Sequence, residues 1–104
     1  MEKLTFSYPA QEKVSKRVHV GVVASGDLEI LLEPAAQQAQ SQIIITTSVD
    51  GFGPVWKNVL DRFFNHFKGA VALEINDFGA TPGLVMLRLE QAAEALQPAQ
   101  ALQA

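Results

Sequence analysis

An apolar run from Val18 to Val23 stops at Ala24-Ser25-Gly26-Asp27, and a second, Leu28 to Leu32, begins at once. Val18, Val20 and Val22 oppose Arg17, His19 and Gly21, while Leu28, Ile30 and Leu32 oppose Glu29 and Glu33. A period of two sends successive side chains to opposite faces, the pattern of half-buried strands. Two such strands around Ser-Gly-Asp predict a β-hairpin, because Gly and Asp accept the positive φ of tight turns. Ser25 then stands at the turn tip with its hydroxyl toward water, and Gly26 and Asp27 shape the turn. On the residues alone, Ser25 is most simply a turn former.

The remaining chain supplies elements to pack against this hairpin. Leu4, Phe6 and Tyr8 alternate before Pro9, so residues 1–14 read as an edge strand or a docked arm. Pro34 is expected to end the second hairpin strand, since proline cannot donate to the ladder. A low-complexity connection, Ala35–Gln40, leads to Ser41–Val49, where Ile43, Ile45, Thr47 and Val49 share one face of a β-branched strand. At Asp50-Gly51-Phe52-Gly53-Pro54 the period changes to that of a helix, with Pro54 at its first position. Val55, Val59, Leu60, Phe63 and Phe67 form the expected apolar stripe, with Gly69 as its stop.

Val71, Leu73 and Ile75 make a further strand, closed by Asp77-Phe78-Gly79. Thr81-Pro82 can cap a second helix with Val85, Leu89, Ala92, Ala93 and Leu96 on one face. Residues 83–90 also alternate as a strand would, but the helix formers of Leu89–Ala95 favour the helix. Pro98 ends it, and 97–104 are expected to fray. The predicted architecture is α+β, in the order β-β-β-α-β-α. It has a mostly antiparallel sheet of about four strands and two helices on one face.

With 104 residues, the chain suits a single domain with one modest core. Its 48% hydrophobic and 18% charged residues are those of a globular protein. A net charge of −3 argues against nucleic acid, which needs a basic face. Cysteine is absent, so this chain has no disulfide, thiolate ligand or thiol nucleophile of its own. No basic-then-apolar leader opens the sequence and no apolar run approaches membrane-spanning length. A cytoplasmic location away from membranes is the expectation.

None of the short motifs makes a self-sufficient active site. Asp77-Phe78-Gly79 matches the kinase metal-binding triplet, but the chain is too short for a kinase and lacks the glycine-rich nucleotide loop. Gly51-Phe52-Gly53 lacks the third glycine and the lysine of phosphate loops, which leaves a structural turn. His19 and His66 lie on different elements without partners at metal-ligand spacing. Asp27, Glu29 and Glu33 could imitate a paired-carboxylate site, yet Glu29 and Glu33 follow the solvent side of the strand. Ser25 lacks the preceding glycine of the usual hydrolase nucleophile turn.

Three blocks occur in order: Val20-Gly21-Val22-Val23-Ala24-Ser25-Gly26-Asp27-Leu28-Glu29, Thr46-Thr47-Ser48-Val49-Asp50-Gly51 and Asp77-Phe78-Gly79-Ala80-Thr81-Pro82-Gly83. With Leu4-Thr5-Phe6 and Leu87-Arg88-Leu89-Glu90-Gln91, they make the chain resemble the acyl carrier (delta) subunit family of malonate decarboxylase. The resemblance covers nearly everything except the insert near Gln37–Gln40 and the tail after Leu96. It implies a non-catalytic carrier whose phosphoribosyl-dephospho-CoA arm is joined through a phosphodiester to Ser25. It also implies a prosthetic-group transferase that attaches the arm, and acyltransferase and decarboxylase subunits that exchange acetyl for malonyl and release CO2. A thiol brought by the arm fits a chain without cysteine.

Ordinary acyl carrier proteins are acidic helical bundles with Asp-Ser-Leu at a helix start, whereas Ser25-Gly26-Asp27-Leu28 lies between strands. Two other readings stand beside this one. A citrate-lyase-type carrier has a similar arm and less likeness at Asp77–Gly83. An unmodified α+β adaptor would bind through its sheet face.

Overall fold

The computed structural model of the chain describes residues 1–37 and 39–96. The described residues form the strands β1 (Glu2–Pro9), β2 (Glu12–Lys13), β3 (Val18–Gly21), β4 (Leu28–Pro34), β5 (Gln40–Thr47) and β6 (Gly69–Asp77). The two stretches of helical period become α1 (Gly53–His66) and α2 (Pro82–Ala95). The main sheet runs β1-β5-β6-β4-β3, and the two-residue β2 pairs with β6. Neighbours in the main sheet are antiparallel except β5 and β6, which are parallel. Parallel neighbours need a long crossover, and α1 supplies it.

The α+β class is as expected, and the strand count is corrected. The main sheet holds five strands rather than about four, because β1 pairs with β5 along its whole length, from Glu2↔Thr47 to Pro9↔Gln40. β1 therefore lies at one edge. β4 reaches Pro34, whose missing N–H is tolerated at the last ladder position, opposite Val71. Val49 lies beyond β5, which stops at Thr47. The tail expected to fray, 97–104, lies outside the described residues.

The helices cover one face of the sheet. Leu28, Ile30 and Leu32 of β4, Ile43 and Ile45 of β5, and Val71, Leu73 and Ile75 of β6 are buried beneath them. From α1 the core takes Trp56, Val59, Leu60, Phe63 and Phe64. Val55 is instead 37% exposed, so the buried face of α1 is rotated from the expected stripe. Trp56 and Phe64 offer larger apolar surfaces to bury, and Phe64 stacks on Tyr8 of β1 at 4.5 Å. Gly69 does not stop α1: the helix ends when Phe67 turns extended, and Gly69 opens β6.

α2 buries Val85, Leu89 and Ala92, with Ala93 and Leu96 packed at the margin. The Thr81 hydroxyl accepts from the N–H of Leu84, so the expected cap is made and residues 83–90 are helical. Because β5 and β6 run parallel, both helices begin near the same end of the sheet. β4 is antiparallel to β6, with Leu28 opposite Asp77, and this brings the loop before β4 to that end too.

Candidate functional site

The expected tight hairpin is a longer loop. β3 ends at Gly21, opposite Glu29, and residues 22–27 connect it to β4. Gly21 has φ +83°, and a Cβ there would stand 2.0 Å from the Leu28 carbonyl oxygen. Only glycine allows strands so close with this backbone, and the turn it imposes stops the ladder before Val22. Val22 and Val23 are consequently exposed rather than paired.

The loop closes on a four-residue turn, in which the N–H of Asp27 donates to the Ala24 carbonyl at 3.0 Å. Ser25 and Gly26 occupy its centre. Gly26 has φ +80°, as a type II turn requires at that position. Ser25 is exposed, and no hydrogen bond ties its hydroxyl to another described residue. Among the described residues, no heavy atom outside the adjoining ones lies within 4 Å of where a Gly26 Cβ would stand. The space beside the serine, on the Gly26 side, is open.

The loop's far side is held firmly. Gly26 donates its N–H to the Phe78 carbonyl at 2.7 Å, and Phe78 returns a bond to the Asp27 carbonyl at 2.9 Å. Asp27 does more than shape the turn. Its Oδ1 accepts from the N–H of Leu28 at 2.7 Å and from Arg88 Nε at 3.2 Å, while Oδ2 accepts from Arg88 Nη2 at 2.9 Å. The Arg88 guanidinium, helped by the Leu28 N–H, holds the Asp27 carboxyl below the usual carboxylate range. Gln91 takes a further N–H of Arg88, so the fork is oriented from α2.

The corner after β6 is braced too. Buried Asp77 accepts from the Thr47 hydroxyl at 2.8 Å and from the N–H of Ala80 at 3.0 Å. The other titratable residues considered in the sequence lie elsewhere. His19 pairs with Glu29 on the open sheet face, where Asn76 also donates to Glu29. Glu33 is 3.9 Å from Arg17, and His66 pairs with Glu90 on the helical layer. Among the described residues, no group of His, Asp and Glu could hold a metal ion, and no helix is long and apolar enough to cross a membrane.

The structure thus brings Ser25, Gly26 and Asp27 together on one braced loop and leaves both histidines away from it. Sequence reasoning gave no role to Arg88. Its only signal was membership of the Leu87–Gln91 run, 61 positions from Asp27.

A family model described as the malonate decarboxylase delta subunit (MdcD) matches residues 15–96. A malonate decarboxylase acyl carrier protein of Pseudomonas paraeruginosa is 54% identical over 95 residues, which are 90% of this chain and 95% of the relative. The same kind of protein from Azotobacter vinelandii is 46% identical over equal coverage. Among solved structures, one chain in the crystal structure of a Pseudomonas malonate decarboxylase hetero-tetramer in complex with malonate superposes with a TM-score of 0.89. It is 45% identical, over 93% of this chain and 100% of that one.

Proposed function

Because the chain belongs to the malonate decarboxylase delta-subunit family, we propose that it serves a malonate decarboxylase complex as acyl carrier through a phosphoribosyl-dephospho-CoA arm on Ser25. The observation that carries this reading is the exposed Ser25 hydroxyl, free of hydrogen bonds to the other described residues, on a loop tied down on its other side. The donor set fits the group: a phosphodiester needs one accessible hydroxyl and room beside it, and Gly26 leaves that room. When bound, the arm supplies the thiol on which acetyl and malonyl groups are carried while malonate is converted to acetate and CO2.

The chain's own part is mechanical and electrostatic. Gly26 gives the turn its positive φ, and Arg88 and Phe78 hold the loop to the body. Arg88 also neutralises Asp27, which lowers the local negative charge beside an incoming phosphate. A fixed attachment point confines the arm to a limited volume and raises its local concentration at sites within reach. The Ser25 loop carries no oriented base or oxyanion donors for catalysis, so the chemistry falls to the acyltransferase and decarboxylase subunits. A dedicated transferase attaches the arm.

Intact mass and peptide mapping of protein from its native host test this reading. The arm should be found on the peptide containing Ser25, and protein made without the transferase should be unmodified. An arm on Ser41 or Ser48, or a Ser25 that is always free in the host, would refute it. The second of those results would favour the unmodified adaptor.

A further inference from the structure

A cleft of about 300 Å³ opens between the N-terminal turns of α1 and α2, at the same end of the molecule as the Ser25 loop. Phe52, Val55, Trp56, Pro82 and Val85 give it apolar walls, while buried Thr47 and Asp77 supply polar lining. Phe52 and Val55 are 47% and 37% exposed, so a large apolar rim stays uncovered by the chain itself. The cleft adjoins the attachment loop. Gly79 lines it, and the Cβ position of Gly79 is 3.8 Å from the Gly26 nitrogen. Among the described residues, no lysine or arginine lines it.

Building on the assignment of Ser25, we propose that this cleft receives the adenine ring of the carrier's own arm. Three features of the lining choose that part of the arm. The half-exposed ring of Phe52 suits a purine, whose faces stack on aromatic side chains, and buried Trp56 adds apolar lining. Asp77 spends one acceptor position of each oxygen on Thr47 and Ala80, and its remaining lone pairs can take the exocyclic amino group. A buried carboxylate with no cation among the described lining residues disfavours the diphosphate and the malonyl carboxylate, both anionic. Tether order agrees, since adenosine directly follows the phosphoribosyl link whereas the thiol is at the far end. Holding the purine beside the loop leaves the pantetheine segment free to reach partner subunits.

The test uses isotope-labelled protein loaded by co-expression with the transferase, its mass checked before NMR. The adenine H2 and H8 protons should give cross-peaks to Phe52, Trp56 and Val85, and loading should shift cleft amides as well as those of residues 24–27. Phe52→Ser, at a half-exposed position, should keep the loaded mass and the spectrum of the β-sheet but lose the adenine cross-peaks. Cross-peaks retained in full by Phe52→Ser would overturn the proposal. So would loaded wild-type protein whose adenine protons contact no cleft residue, or whose cleft holds the pantetheine methyls or the acetyl group. An unmodified mass would overturn the Ser25 assignment and this inference with it; a loaded mass without adenine contacts overturns the inference alone.

Discussion

Arg88 grips Asp27 through both carboxylate oxygens, at 3.2 Å and 2.9 Å, and so fastens the loop bearing Ser25 to the middle of α2. The two side chains retain only 24% and 16% exposure, which takes the pair out of the class of surface ion pairs that contribute little. Breaking one partner leaves the other charge partly desolvated and alone. Arg88→Leu should therefore lower the melting temperature and speed amide exchange at Gly26, while the sheet stays intact. Loading of Ser25 by the transferase should slow, because the loop would sample many orientations. Exchange at Gly26 equal to wild type would show that the Phe78 bonds hold the loop unaided.

The same pair predicts an acid-sensitive contribution. The Asp27 carboxyl lies below its usual range in the folded protein, held there by Arg88 and the Leu28 N–H. Between the folded and unfolded values the unfolded chain binds more protons, so stability rises with pH there. The contribution is complete above the unfolded Asp value of about 3.9 and is lost as pH falls through the lowered folded value. The melting-temperature gap between wild type and Arg88→Leu should be widest near neutrality and shrink in acid. A gap constant down to the acid limit of folding would contradict this linkage.

Two glycines of the loop should respond differently to alanine. At Gly26, φ is +80° but the Cβ position is open, so alanine suffers only the left-handed backbone, about 1–2 kcal/mol. At Gly21 the same backbone cost adds to a Cβ placed 2.0 Å from the Leu28 carbonyl, which the β3–β4 ladder can relieve only by parting. Chemical denaturation should rank Gly21→Ala well below Gly26→Ala in stability. Equal losses would mean that the β3 end is free to move.

Periodicity made most of the fold readable. Ile30, Leu32, Ile43 and Leu73 sit in the core as alternation requires, and the Thr81 cap could be read from one residue and its neighbours. What escaped depended on partners distant in the chain. Whether residues 1–14 formed a strand or a docked arm could not be decided without β5, the strand with which β1 pairs. The rotation of α1 toward Trp56 and Phe64 depends partly on Tyr8, which stacks on Phe64 from another element. At the candidate site, Ser25 and Gly26 were visible as a local turn signal. Arg88 was not, because a cation on a helix says nothing about a carboxylate 61 positions away.

The decisive substitution remains Ser25→Ala. The serine is exposed and its hydroxyl has no hydrogen-bonding partner among the described residues, so its loss leaves no buried group unsatisfied. Surface changes of this kind fall within about 0.5 kcal/mol, and the melting temperature should barely move. The Asp27–Arg88 fork and the Gly26–Phe78 bond do not involve the hydroxyl, so the loop should keep its shape. Alanine nevertheless deletes the oxygen on which the phosphodiester would be built. The variant should fold, enter the complex and support no acetyl–malonyl exchange, whereas Gly26→Ala should lose some stability and still accept the arm. Comparing intact mass, melting temperature and exchange activity of the two variants separates attachment from architecture. A folded Ser25→Ala protein that still turned over malonate in the reconstituted complex would mean that another residue bears the arm.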